Sequence, residues 1–242
     1  MKRSIVSLLL VLCLVCGLCA VHAEGQPIAV GEKVVFGSFD QDNDPGNGQE
    51  ALTWLVLDEK DGDLMLLSVY GLVPKAYHAP AREAVTWENC TLRAWLNGDF
   101  FDTAFTDEEK EAVRTTLVDN SAAQCNPAWK TTGGNDTEDK VYLLSWYEVG
   151  KYFPKNAERY CIATDSAYDW AFVNPHNGRS YWWSRSPGMV QHYACEINNA
   201  GDRDSGSVND PRDVVRPVIW VSGDAVSVLE GPGYQIDLKR HK

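Results

Sequence analysis

Polar and charged side chains that could bind a ligand concentrate near the C-terminal end of the chain, between Met189 and Asp213. Carboxylates, amides and guanidinium groups form hydrogen bonds, and aromatic rings stack on other rings, which together is the chemistry of recognition. The residues that we predict to contact a ligand are Trp182, His192, Tyr193, Glu196, Asn198, Asp202, Arg203, Asp204, Asn209, Asp210, Arg212 and Asp213. We interpret this stretch as the functional part of the molecule.

The sequence predicts binding rather than catalysis. It contains neither a Gly-x-Ser-x-Gly elbow nor a His-Glu-x-x-His motif, and its histidines stand apart from one another. Pairs of acids in the polar run are equally typical of a solvated loop. We therefore predict no catalytic residue and no cofactor. An envelope enzyme that acts on a glycan or peptide, and a purely structural envelope protein, remain the alternatives.

Two acidic loops, residues 40–48 and 131–139, raise the question of a metal. Alternating acids can supply oxygen ligands to a hard cation such as Ca²⁺. The first loop lacks the glycine and the glutamate that an EF-hand needs at its sixth and twelfth places, Pro45 and Ala51 standing there instead. We interpret both loops as solvated turns and leave the metal content open.

Apolar segments flank the polar run on both sides, at residues 182–188 and 214–221. Their aromatic and β-branched residues predict buried strands. We expect the two segments to lie side by side and to present polar loops to the solvent. Successive strand residues point to opposite sides, so one of Trp182 and Trp183 should be core and the other free to stack against a sugar or ring.

The rest of the chain predicts a single domain of mixed or β type. Period-two alternation indicates strands, and apolar spacing with capping boxes at Thr106 and Ser145 indicates helices. The predicted strands are residues 33–39, 52–57, 64–70, 141–144 and 225–229, and the predicted helices are residues 91–97, 107–115, 146–153 and 164–172. The first three strands should form an antiparallel meander.

Residues 1–23 have the features of a secretory signal peptide: a basic start, an apolar run and a small residue, Ala23, at the cleavage position. We expect export, cleavage after Ala23 and a protein that is secreted or on the cell surface, with residues 24–242 forming one domain that ends in a short basic tail. A lipoprotein anchor is the alternative, because cysteines lie in this region, although Gly17 and Leu18 fit a lipid-attachment signal before Cys19 poorly. The apolar run is short for a membrane span, and no second one follows.

Charge and cysteine content narrow the class of partner. The formal net charge is -12, which argues against nucleic acid as a ligand. The cysteines beyond the signal region are Cys90, Cys125, Cys161 and Cys195. In an exported protein they form disulfides or remain as buried thiols, and their spacing does not decide between the two. The oligomeric state also stays open.

Several sequence blocks, in a fixed order, resemble a large group of exported bacterial proteins that are catalogued only as a domain of unknown function. The blocks are residues 35–37, 52–57, 91–97, 136–145, 182–188 and 215–217. The resemblance covers nearly the whole chain after the signal region. That group looks like a variant of the C-type lectin fold, as used by formylglycine-generating enzymes and by the variable proteins of diversity-generating retroelements.

The resemblance implies an α+β fold with a small, twisted, mostly antiparallel sheet, flanked by short helices, that frames a displayed face. It does not carry over the copper-dependent oxidase chemistry, which needs a second cysteine near Cys195. The calcium and sugar motifs of animal lectins are also missing, with only a partial echo at residues 208–210. In diversified relatives the variable codons concentrate in this part of the fold. The implied function is recognition of an extracellular glycan or protein by residues 189–213.

Overall fold

The computed structural model describes residues 27–239 and residue 241, and the predicted signal peptide lies outside this part of the chain. The described residues form a mixed α+β structure with several antiparallel sheets and a few short helices, which confirms the predicted class at that level. None of the helices in residues 27–239 has the length and apolar character that a membrane crossing requires.

The strands are β1 (Lys33–Phe39), β2 (Glu50–Lys60), β3 (Asp63–Ser68), β4 (Tyr70–Gly71), β5 (Thr116–Val118), β6 (Thr137–Asp139), β7 (Cys161–Ala163), β8 (Arg179–Ser180), β9 (Trp182–Pro187), β10 (Tyr193–Ile197), β11 (Arg203–Ser207), β12 (Val218–Ser222) and β13 (Ser227–Val228). The α-helices are α1 (Thr91–Trp95), α2 (Phe101–Ala104), α3 (Asp107–Ala112), α4 (Trp146–Tyr152) and α5 (Asp165–Tyr168). A π-helical turn, Leu96–Phe100, joins α1 to α2, and 3-10 turns lie at Trp87–Asn89, Ala122–Gln124, Asn156–Arg159 and Gly223–Ala225.

The largest sheet has five strands in the order β12-β3-β2-β1-β13, and each neighbouring pair is antiparallel. The predicted opening meander is thereby confirmed. Its second turn uses Asp61 and Gly62, both with positive φ, which suits the twist of a tight hairpin. The indole of Trp54 is fully buried under this sheet and donates to the Phe36 carbonyl at 2.7 Å. The sheet is one wall of a single apolar core.

The polar run is more ordered than the sequence predicted. The expectation of loops between two strands was wrong, because β10 and β11 form an antiparallel hairpin that extends β9 into a three-stranded sheet. Ala194, Cys195 and Ile197 of β10 are buried, and they supply the apolar anchoring of the hairpin. The side chains of β11 are polar, but this does not prevent strand formation, because the hydrogen bonds between β10 and β11 join backbone N–H and C=O groups.

The two flanking segments meet at one crossing rather than along their length. Val214 N–H donates to the Tyr181 carbonyl at 2.9 Å, and Trp183 N–H donates to the Val214 carbonyl at 3.3 Å. From this crossing β9 continues into the three-stranded sheet, whereas β12 continues into the five-stranded sheet. The crossing therefore links the two sheets.

The expectation that one tryptophan of β9 would be free for stacking was wrong. Trp182 and Trp183 are each 0% exposed, because every residue of β9 is buried. Their indole N–H groups donate to the Arg159 carbonyl at 3.0 Å and the Lys75 carbonyl at 2.8 Å, respectively. Both side chains are therefore core residues with satisfied polar atoms.

Several predicted boundaries also needed correction. Residues 141–144 are not a strand, and Tyr142 makes only an isolated bridge to Val218. The helix predicted for residues 164–172 ends at Tyr168, and the one predicted to reach residue 115 ends at Ala112. In the last case Val113 leaves the helix to bridge Val221, so a sheet contact distant in sequence overrides the local preference.

The four cysteines of the described residues are unpaired and buried, so of the alternatives left open by the sequence the structure has buried thiols. Burial raises the pKa of Cys90 to about 12, and it also raises the pKa of Cys195. A thiol that stays protonated is a poor nucleophile. These side chains act as small core residues.

Candidate functional site

The predicted ligand residues are distributed over two opposite faces of the β9–β10–β11 sheet. Residues directly opposite each other in an antiparallel pair project to the same side. Glu196 is opposite Asp204, and Ile197 is opposite Arg203. Because neighbouring residues in a strand alternate, Glu196 and Asp204 share one face, which we call the acid face, and Arg203 lies on the other face.

On the face of Arg203, an open cavity of about 440 Å³ lies between α4 and β11. Its lining includes Cys125, Pro127, Trp146, Tyr147, Lys151 and Arg203. The Tyr147 side chain is 55% exposed, so an aromatic surface is accessible at the rim. We call this cavity the Trp146–Arg203 pocket.

Arg203 and Lys151 are the charged groups of this pocket, and Lys151 already pairs with Asp58 at 3.4 Å. The Arg203 guanidinium lies 4.3 Å from the centroid of the Trp146 ring and donates to the Trp146 carbonyl at 2.9 Å. No carboxylate in residues 27–239 forms an ion pair with it, and burial followed by the charge of Arg159 lowers its pKa. A Cβ at Gly150 would lie 2.7 Å from Arg203 Nη1, so this glycine leaves room for the guanidinium. The stack presents a positive charge with no acidic partner to the cavity.

The aromatic wall of the pocket is fixed by the N-terminus of α4. Ser145 and Glu148 form the predicted capping box. Both carboxylate oxygens of Glu148 accept from Arg185, which is 2% exposed. Arg185 also donates to the Leu143 and Asp119 carbonyls, each at 2.8 Å, so it ties β9 to the helix. The role of Arg185 is therefore structural.

The acid face carries a carboxyl pair. The Asp213 side chain is 1% exposed, and its carboxyl oxygens have no hydrogen-bond donor among the described residues. Burial, and then the adjacent charge of Glu196, raise the pKa of Asp213 well above its ordinary value. Burial also raises the pKa of Glu196, against a hydrogen bond from Asp213 that lowers it. The raised pKa favours the protonated form of Asp213 beside the Glu196 carboxyl.

The surroundings of the pair are acidic and aromatic. Burial raises the pKa of Tyr181, and the charges of Glu196, Asp213 and Asp204 raise it further. Arg212, the nearby cation, is held elsewhere: it pairs with Asp210 at 2.8 Å and lies 3.7 Å from the Phe172 ring centroid. An added Cβ at Gly206 would collide with the Glu196 carboxylate, so this glycine makes space for the pair.

The other predicted residues take part in local contacts. His192 packs edge-on against Tyr193, with ring centroids 5.0 Å apart. Asn198 closes the β10–β11 turn by accepting from Asp202 N–H at 3.0 Å. Asn209 accepts from Ser207 Oγ at 2.8 Å. Of the predicted ligand contacts, Trp182 and Asp213 are buried, so only the remainder have surface exposed to solvent.

The sequence reasoning missed Trp146, Tyr147 and Lys151, which line the pocket. A signal was present, because the Ser145 capping box places Trp146 and Tyr147 in the first turn of a helix. The capping box predicts the helix, but it does not predict that β11 packs beside it, because α4 and β11 are distant in the chain.

The two acidic loops differ in structure. In the first, single carboxylate oxygens of Asp40, Asp42 and Glu50 lie within 4.8 Å of one another, but they also accept local hydrogen bonds from Asn43 and Gln41 N–H. In the second, Asp139 is buried and accepts from Arg93 Nε at 2.6 Å. The Asp139 carboxylate of the second loop therefore forms a structural ion pair with Arg93.

A sequence model of the family described as a domain of unknown function (DUF6273) matches residues 61–223. The matched region begins in the turn before β3 and includes α4, both faces of the β9–β10–β11 sheet and β12. Comparison with curated proteins and with solved structures gave no match.

Proposed function

The chain belongs to the DUF6273 family, a domain of unknown function, and we propose that it is an exported protein that binds an extracellular glycan or protein ligand. The observation that carries the proposal is Arg203, stacked on Trp146 in an open cavity without an acidic partner. Positive charge beside aromatic surface is a common arrangement for orienting a ligand.

The contents of the pocket favour a ligand that combines a ring with an anionic group. Tyr147 offers an exposed ring on which a sugar or an aromatic side chain can stack, next to Trp146, which already packs against Arg203 and Trp129. Arg203 offers a planar guanidinium, which pairs well with a carboxylate. Lys151 adds charge at the edge, although it already lies 3.4 Å from Asp58. In a chain of net charge -12, such a local cation selects for acidic ligands.

Export and fold type belong to the same proposal. The signal-like residues 1–23 support a secreted or surface location. The mixture of small antiparallel sheets and short helices is compatible with a C-type-lectin-like architecture, which we propose from the sequence resemblance. A diversified version is tested by the neighbouring DNA: a near-copy of the segment encoding residues 189–213, differing at adenines beside a reverse transcriptase, would support it.

Thermal-shift screening tests the recognition function. Acidic oligosaccharides and peptides with a free C-terminal carboxylate should raise the unfolding midpoint, because ligand bound at about 100 times its dissociation constant contributes about 2.7 kcal/mol. Arg203→Met should abolish the shift. The matched control is Arg212→Met, which removes an arginine stacked on Phe172 at a different place. A ligand that binds the Arg203→Met variant as tightly as the wild type contradicts the pocket assignment.

One observation favours a second function, an envelope enzyme that acts on a glycan or peptide. Glu196 and Asp213 are neighbouring carboxyl groups whose pKa is raised by burial, as is typical of a carboxyl that acts as a general acid. Asp213 is buried, however, so a substrate would reach Glu196 first. Turnover of peptidoglycan fragments that is lost in Glu196→Gln while folding is retained would establish this alternative. A structural envelope protein would leave ligand screens blank and show no turnover.

A further inference from the structure

The acid face holds carboxyl groups that form no ion pair with a Lys, Arg or His of the described residues. Asp213 is 1% exposed, has no hydrogen-bond donor there, and adjoins Glu196. Asp204 lies opposite Glu196 in the hairpin and adds a further carboxylate. The neighbouring cation, Arg212, is occupied by Asp210 and Phe172. Burying an unpaired carboxyl is costly, so an arrangement of this kind suits a partner that arrives from outside.

We propose that Glu196, Asp204 and Asp213 bind a primary ammonium group of a ligand, on the face of the sheet opposite the Trp146–Arg203 pocket. An ammonium group has three N–H donors, which match the carboxylates available. Tyr181 accepts a backbone hydrogen bond from Val214 N–H at 2.9 Å, next to Asp213 in the chain, and its ring can add a cation–π contact.

An ammonium group fits this site better than a metal ion. Among residues 27–239, the set of three acidic groups whose ligand atoms lie within 4.8 Å of one another is Asp40, Asp42 and Glu50, not the acids of this face. Hard metal ions need a compact shell of oxygen ligands. Glu196 is only partly buried, so a ligand that arrives from the solvent meets Glu196 before Asp213.

Binding should replace a proton at the carboxyl groups by the ammonium group of the ligand. The raised pKa of Asp213 favours a proton on this carboxyl in the free protein; when the ammonium enters, that proton leaves for the solvent and N–H···O bonds form to the carboxylates. Five groups influence the protonation of Asp213 or of its neighbour Glu196 from β10. They are Glu196 itself, Asp204 from β11, Asp210 and Arg212 from the segment after β11, and Tyr181 next to β9. Since the carboxyls gain charge as pH rises, affinity should increase with pH until the amine itself deprotonates.

Isothermal titration calorimetry at pH 7 in two buffers of different ionisation enthalpy tests the proposal. The probes are an acetylated peptide with one lysine and glucosamine, which distinguish a protein source of the amine from a sugar source. We expect release of about one proton per bound ammonium. Asp213→Asn should remove the proton release and weaken binding about tenfold or more, the equivalent of about 1.4 kcal/mol.

Two further variants keep the result decisive. Glu196→Gln retains the shape of the side chain and should weaken binding like Asp213→Asn, so a folding defect in one variant does not decide the test. Asp224→Asn removes an exposed carboxylate elsewhere and should leave binding unchanged. Arg203→Met should also leave it unchanged, which separates this site from the pocket. Binding without proton release, absence of binding by both probes, or proton release with Ca²⁺ and not with an amine would each overturn the proposal.

Discussion

Removal of the Glu148 carboxylate should destabilise the protein strongly, because Arg185 depends on it. Arg185 is 2% exposed, whereas the Glu148 side chain is 21% exposed. Breaking a buried ion pair by deleting one partner costs about 3–5 kcal/mol. We expect Glu148→Ala to lie near the lower limit, at about 3 kcal/mol, because Arg185 keeps its bonds to the Leu143 and Asp119 carbonyls.

The assay is urea unfolding followed by tryptophan fluorescence. For a domain of this size about 3 kcal/mol corresponds to a fall of roughly 6–12 °C in the midpoint of thermal unfolding. The matched control is Asp107→Ala, which removes an exposed partner of Lys110 and should cost less than about 1 kcal/mol. A loss below about 1 kcal/mol for Glu148→Ala would refute the reasoning.

A double-mutant cycle isolates the pair itself. Arg185→Met combined with Glu148→Leu removes both charges, so the double variant should be more stable than the sum of the single losses by about 0.5–3 kcal/mol. Since α4 carries Trp146, the single variants should also weaken ligand binding at the pocket. Additive losses would mean that the two side chains are not energetically coupled.

Three further outcomes follow from other parts of the fold. Burial raises the pKa of Asp213, so its contribution to stability is fully present below the ordinary pKa of the carboxyl and falls as pH rises towards the folded-state pKa. Asp213→Asn should therefore flatten the loss of stability above about pH 4 in urea unfolding, and an unchanged slope would contradict this. Gly206→Ala should cost about 1–3 kcal/mol in the same assay because its Cβ meets the Glu196 carboxylate, and a neutral effect would show that Glu196 can move aside. Dithiothreitol should leave the thermal midpoint unchanged because the described cysteines are unpaired, whereas a lowered midpoint would indicate a disulfide.

Local signals in the sequence gave the right elements where neighbours in the chain decide the structure. Val34 and Phe36 alternate with more exposed residues, so β1 could be predicted with its observed bounds. The capping boxes at Thr106 and Ser145 marked the starts of α3 and α4, since a cap needs only residues three apart.

The strand pairings and buried acids that could not be predicted from the sequence depend on contacts between distant segments of the chain. The β10–β11 hairpin was missed because Asp204, Ser205 and Gly206 are typical of turns, and only the backbone ladder to β10 makes them a strand. The parallel pairing of Tyr70 with Ile162 likewise joins residues far apart in the chain. Whether an acid is buried also depends on packing: Asp213 and Asp204 look alike in sequence, but only Asp213 is enclosed.

The candidate site was predicted in part. The predicted ligand region, residues 189–213, includes Arg203 and the acids of the hairpin. Side chains alternate along a strand, however, so Arg203 lies on one face of the sheet and Glu196 and Asp204 lie on the other. The aromatic partner of Arg203 comes from α4, 57 positions earlier in the chain, where the Trp146 carbonyl accepts a hydrogen bond from the Arg203 guanidinium. Only the packing of helix against sheet could reveal it.

The short turn at residues 198–202 sets which chemistry appears on which side of the molecule. Side chains of β11 alternate with a period of two, so a slip of one position would move Arg203 to where Asp204 now stands and exchange them between faces. An insertion or deletion of a single residue in this turn would thus deprive the cavity of its guanidinium and place a positive charge among the carboxylates. The length of this loop is under stricter constraint than the identity of most of its side chains.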